Sequence, residues 1–162
     1  MKSIIVFIIV CLSGLSLFAQ NAPTTIILLR HAEKESTGND PSLSPAGLER
    51  SYKLQKALKE YKPDHFYSTD YKRTKQTVTP WANATGKEIE IYNADELAAF
   101  AEKLKAFKGK TIIVAGHSNT TPQLANLLLG NEKYTTLNDA EYSKIWILTI
   151  EDSTATDKIA EY

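Results

Sequence analysis

The sequence has almost no cysteine, and that narrows its chemistry at once. Its one thiol, Cys11, sits inside an apolar amino-terminal run, so no internal disulfide, cysteine nucleophile or thiolate metal site is expected in the folded domain. Charge of one sign is also missing. Basic and acidic residues balance at 19 each, without the electrostatic footprint of a protein that binds nucleic acid or an anionic membrane. There is no Walker-type glycine loop and no H-E-x-x-H helix, and no repeat or low-complexity tract. What remains is a chain of 162 residues, the size of one domain. A domain of that size buries about two-thirds of its unfolded surface and needs no metal or disulfide to stay folded.

The first nineteen residues have a composition of their own. Lys2 precedes an apolar stretch over residues 4–18, and the chain turns polar from Gln20. Such a basic start, apolar middle and small residue at Ala19 read as a secretory signal cleaved after Ala19. Residues 20–162 would then form the mature domain, periplasmic or secreted and not held at the membrane. An uncleaved anchor is the alternative, because the run approaches the ~20 residues that span a bilayer. A lipoprotein fits less well, since Val10 before Cys11 is bulky.

From residue 24 apolar runs alternate with amphipathic segments. Residues 25–29 are aliphatic and β-branched, as in a strand buried on both faces. Ser44 and Pro45 mark a helix start, and Leu48, Tyr52, Leu54, Leu58 and Tyr61 give that helix an apolar face. Residues 65–68 predict a second strand and 73–84 a second helix, kinked or restarted at Pro80 and closed by Gly86. Residues 88–92 predict a third strand. Leu97, Phe100, Leu104 and Phe107 predict a helix over 96–107. A fourth buried strand follows at 111–115, then a helix from Thr121 to the break at Gly130. Residues 142–150 form a last strand, parallel or antiparallel, and the tail beyond gives no signal. The alternation predicts a single three-layer α/β domain, with a mainly parallel sheet between helices on both faces.

In such a sheet ligands bind at the carboxyl ends of the strands. There the chain places Arg30 and His31 after the first strand, Asp70 and Arg73 after the second, Asp95 and Glu96 after the third, and His117, Ser118 and Asn119 after the fourth. Paired arginines suit a phosphomonoester dianion. A neutral imidazole can attack phosphorus when its other nitrogen is held as N–H. A second imidazole can stabilise the transferring oxygens, and a carboxylic acid can protonate the leaving alkoxide.

Residues 28–34, Leu-Leu-Arg-His-Ala-Glu-Lys, resemble the signature of the histidine phosphatase superfamily, which includes the cofactor-dependent phosphoglycerate mutases. Asp40 to Ser44 with Gly47, Tyr67 to Asp70 with Arg73, and Gly116 to Asn119 are similar to its remaining motifs, in the same order over nearly all of the mature chain. The resemblance implies an exported phosphatase without metal or cofactor, acting on a small-molecule or glycan phosphomonoester. His31 would become phosphohistidine, and Arg30, Arg73 and His117 would line the phosphate pocket. Ser118, Asn119 and Glu33 would contact substrate. One branch of the family carries its general acid after the third strand, which points to Asp95, with Glu96 and Glu33 as alternatives. The other carries an aspartate where this chain has Ser118. The short stretch between Arg73 and His117 leaves no room for a large cap, so the pocket should be shallow.

Blander readings compete. Asp95 could be a helix cap, Asp70 a loop-capping residue, Glu33 the partner of a pocket arginine, and His65 purely structural. Gly116 to Thr120 fits the serine-hydrolase elbow G-x-S-x-G except at Thr120, but that reading leaves Arg30, His31 and Arg73 idle. A metal hydrolase lacks close ligand spacing. A non-catalytic phosphate-binding module would need no second histidine. A mutase acting on glycolytic phosphates is at odds with export.

Overall fold

A computed structural model describes residues 22–152 and 154–162; the expected export segment and its cleavage point lie outside them. Six strands form one sheet: β1 (Thr24–Arg30), β2 (His65–Ser68), β3 (Ile89–Ile91), β4 (Thr111–Gly116), β5 (Lys144–Glu151) and β6 (Thr154–Glu161). Their spatial order is β3-β2-β4-β1-β5-β6. The first four are parallel to one another, and β5 and β6 add an antiparallel hairpin beside β1.

The apolar runs of β1 and β4 pair in register, Ile26 with Ile112 through Leu29 with Ala115. Successive residues face opposite sides, because side chains alternate across a strand. Ile27, Leu29, Ile113 and Ala115 therefore pack under α1 (Pro45–Ala57) and α2 (Lys72–Thr85), with Leu54, Phe66, Val78 and Trp81. Ile26, Leu28, Ile112 and Val114 pack under α3 (Leu97–Lys105) and α4 (Thr120–Leu129), with Phe100, Leu104, Leu124 and Trp146. Each fully buried side chain of this size stabilises the fold by about 1.5–3 kcal/mol. Two cores thus clamp β1 and β4, and the loops leaving those strands start from rigid ends.

Four local features differ from the sequence reading. Helix α1 is capped by Ser44, whose hydroxyl accepts from the Gly47 N–H, but its buried face is Gly47, Ser51, Leu54 and Leu58, while Leu48 and Tyr52 are 45% and 58% exposed. The reason is close backbone approach: a Cβ on Gly47 would lie 2.0 Å from the Glu33 carbonyl oxygen. Small residues were needed there, not large apolar ones. Helix α2 continues through Pro80 as one helix and does not restart there. The expected 96–107 helix begins instead as a 3₁₀ turn, Ala94–Glu96, capped by the Asn93 side chain accepting from the Asp95 N–H. Finally, 142–150 is not the last strand. β6 follows as the edge, its exposed face filled by polar residues that carry little hydrophobic signal, as suits an edge strand.

Candidate active site

The carboxyl ends of β1 and β4 lie side by side. The pairing extends one step past the strands, the His31 N–H donating to the Gly116 carbonyl at 2.9 Å. Gly116 itself admits no side chain, since a Cβ would stand 2.8 Å from Thr121 Oγ1 and 2.9 Å from the Tyr92 hydroxyl. From the other side the Ala32 N–H donates to Thr77 Oγ1 at 2.9 Å, and that hydroxyl donates to the Arg73 carbonyl at 2.7 Å. The loop carrying Arg30 and His31 is therefore tied to the first turn of α2, which carries Arg73.

His31 is 4% exposed, and its Nδ1 lies 2.8 Å from the Ala32 carbonyl oxygen. A carbonyl can only accept, so Nδ1 carries the proton and Nε2 keeps its lone pair. Burial pushes this imidazole down to about 4; the bond to Ala32 works against the drop, and the charges of Arg73, His117 and Arg30 add to it. His117 is 5.5 Å away, ring centre to ring centre, in an edge-to-face arrangement. It too is lowered to about 4, by burial and then by Arg73 and Arg30. Its Nε2 lies 3.0 Å from Thr69 Oγ1, which donates in turn to Thr74 Oγ1 at 3.1 Å. Both imidazoles are thus neutral at pH 7, and the site's fixed positive charge resides on the arginines.

Arg30 is 6% exposed. Its Nη1 donates to the carbonyls of Asn138, Asp139 and Glu141 at 2.9–3.1 Å, and its guanidinium lies 4.2 Å from the centre of the Tyr142 ring. Arg73 is stacked likewise, 4.4 Å from the Tyr71 ring, with Nη1 3.9 Å from an Asp40 carboxylate oxygen. In both arginines Nε is buried without a protein acceptor. An unpaired buried donor on a charged group costs several kcal/mol unless something accepts from it. The amino terminus of α4, directly after His117, adds positive partial charge.

The remaining sequence-predicted residues are distributed around this centre. Asp95 is exposed and shares a cleft of about 650 Å³ with Thr69, Asp70 and Tyr71. Glu96 lines a different hollow, with Phe100 and Lys103. Asn93, not Asp95, caps the turn. Glu33 pairs with Arg50 of α1, which is not an arginine of the pocket: Nε and Nη2 reach its carboxylate at 2.7–2.9 Å. The Arg50 guanidinium holds that carboxyl below the usual range. Ser118 gives its carbonyl to Leu137 N–H, and Asn119 lines a separate hollow with Gln123 and Asn126. His65 contacts Glu90 at 3.3 Å, and exposed Asp70 pairs with Lys75 at 2.6 Å. Among the described residues no three His, Cys, Asp or Glu side chains are grouped as metal ligands, and no helix is long and apolar enough to cross a membrane.

Sequence reasoning missed Thr69, Tyr71 and Tyr142. Thr69 and Tyr71 flank Asp70, so proximity to a singled-out residue was the available signal. Tyr142 had none, since it reaches Arg30 only through folding.

The model of the histidine phosphatase superfamily (branch 1) matches residues 26–98, from β1 through His31 and Arg73 to the 3₁₀ turn. No curated protein matches the sequence closely enough to count as a relative. Solved structures share the fold at low identity. A mycobacterial glucosyl-3-phosphoglycerate phosphatase aligns with a TM-score of 0.69 at 12% identity, over 86% of this chain and 98% of its own. The protein histidine phosphatase SixA, complexed with tungstate, gives 0.69 at 15% identity, over 85% and 96%. A phosphoserine phosphatase from Entamoeba histolytica, in complex with 3-phosphoglyceric acid, gives 0.63 at 16% identity, over 86% and 98%.

Proposed function

Because the model of the histidine phosphatase superfamily matches residues 26–98 and solved phosphatases share the fold, we propose that the chain hydrolyses phosphomonoesters through a phosphohistidine at His31. The observation that carries this reading is the pair of buried, unpartnered guanidinium Nε–H groups on Arg30 and Arg73, within electrostatic reach of two neutral imidazoles. A phosphoryl dianion supplies the acceptors those donors lack.

The Nε2 lone pair of His31 attacks phosphorus, and the bond from phosphorus to the leaving oxygen breaks. Nδ1–H stays on the Ala32 carbonyl, so the ring cannot rotate and the cation formed on phosphorylation is stabilised there. Arg30, Arg73 and His117 hold the three non-bridging oxygens of the transferring phosphoryl group; one such donor is worth about 10²–10³ in rate. Asp95, in the cleft that opens beside Thr69, gives a proton to the leaving oxygen. Its carboxylate then takes one from the water that attacks the phosphohistidine and releases phosphate.

The composition of residues 1–19 supports export, with the mature protein acting on phosphoesters outside the cytoplasm. Turnover by the mature protein of a panel of sugar, alkyl and aryl phosphates tests the activity. Hydrolysis should disappear in His31→Ala and survive chelators. Hydrolysis that persists in His31→Ala, or that chelation abolishes and zinc restores, contradicts the reading. Phosphate binding without turnover makes the chain a binding module.

A further inference from the structure

The cleft beside the phosphate cradle has a composition that bears on the rest of the substrate. Its two walls are the loop after β2, with Thr69, Asp70 and Tyr71, and the end of β3 with the following turn, with Ile91, Asn93 and Asp95. Through Thr69 it touches His117, and Tyr71 stands 5.2 Å from the same imidazole.

Among the described residues large apolar side chains are exposed at few places, and each wall contributes one: Tyr71 is 43% exposed and Ile91 51%. Exposed apolar surface beside a site is where a ligand makes contact. Charge is arranged against a second anion. No lysine or arginine lines the cleft. Of the cations beyond its walls, Lys75 is closed on Asp70 at 2.6 Å, Lys103 lies 3.6 Å from Glu90, Arg73 belongs to the cradle, and Lys72 begins α2 beside Tyr71. Asp95 offers no counter-charge in either state.

We propose that this cleft is the leaving-group subsite, and that it selects phosphomonoesters whose alcohol is uncharged and has an apolar face to lie between Tyr71 and Ile91. Alcohols bearing a carboxylate or a second phosphate bind more weakly. The selection rests on the phosphate cradle described above, and the two can fail separately.

Equilibrium binding of phosphonates, which cannot be hydrolysed, separates them. Calorimetry with the mature protein should find phenylphosphonate bound about tenfold more tightly than methylphosphonate, and 4-carboxyphenylphosphonate about tenfold more weakly than phenylphosphonate. In Ile91→Ala the phenyl-to-methyl ratio should fall toward one. In Ile91→Lys, which places a cation on the wall, the carboxyphenyl ligand should regain affinity relative to the phenyl one. Equal binding of phenyl and methyl ligands, or a carboxyphenyl ligand bound as well as phenyl, overturns the subsite. If none of the three binds, the phosphate cradle itself is wrong.

Discussion

Two buried histidines that stay neutral make the fold sensitive to acid in a window where few other groups titrate. His31 and His117 are each lowered from 6.5 to about 4. Below pH 6.5 the unfolded chain takes up these two protons and the folded one does not. The unfolded state binds more protons, so stability falls as pH falls. At pH 5 each histidine costs about 2 kcal/mol relative to pH 7.5, and the two together about 4 kcal/mol. That is a large part of the 5–15 kcal/mol typical of a domain. Carboxylates held low by partners, such as Glu33 and Asp157, lose their contribution only as pH drops below their ordinary range, so they leave the window between 6.5 and 5 to the imidazoles. Urea titrations at pH 7.5, 6 and 5 read the effect directly. His31→Asn, whose side-chain amide can still donate to the Ala32 carbonyl, should halve the pH dependence, and inorganic phosphate should restore part of the lost stability by pairing with the arginines. A loss of less than about 1 kcal/mol between pH 7.5 and 5, or an unchanged pH dependence in His31→Asn, refutes the electrostatic description of the site.

Other outcomes test its parts. Asp95→Asn should slow alkyl phosphate hydrolysis by roughly 10²–10⁴-fold while largely sparing p-nitrophenyl phosphate, whose phenolate leaves unaided; equal losses on both, with the selective loss in Glu96→Gln, would move the acid to Glu96. Gly116→Ala forces a methyl group against Thr121 and Tyr92 and should cost about 1–3 kcal/mol in thermal unfolding, with a fall in activity as the His31 backbone contact shifts. Protein recovered from the periplasm or medium should begin at about Gln20, and an intact mass that retains Met1 or Cys11 would count against cleavage.

Strand ends were the most legible feature of the sequence, because a buried strand is apolar until it stops and the first polar residues after it stand out. Arg30, His31 and His117 were found that way, and their convergence follows from right-handed crossovers in a parallel sheet. The helix face of α1 was not legible. Hydrophobicity identifies helices that pack through side chains, whereas α1 meets the Glu33 backbone through Gly47. β6 was hidden by its polar exposed face. The second layer of the site was beyond reach for another reason. Arg50 reaches Glu33 from α1, and Tyr142 reaches Arg30 only because the carbonyls of Asn138, Asp139 and Glu141 close on that guanidinium. Contacts between distant segments leave no local pattern. Asp95 stands out by its position after β3; it lines the cleft beside Thr69, and Glu96 lines an adjoining hollow that shares Ile91, Tyr92 and Asn93.

The central claim is that His31 Nε2 becomes covalently phosphorylated. Brief reaction of the mature protein with a ³²P-labelled phosphomonoester, quenched in denaturant at alkaline pH and followed by peptide mapping, tests it most directly. Label should reside on the peptide containing His31, stable to base and lost in acid, and should be absent from His31→Ala. Label on Ser118, or full turnover with no labelled intermediate under conditions that trap it, would contradict the account.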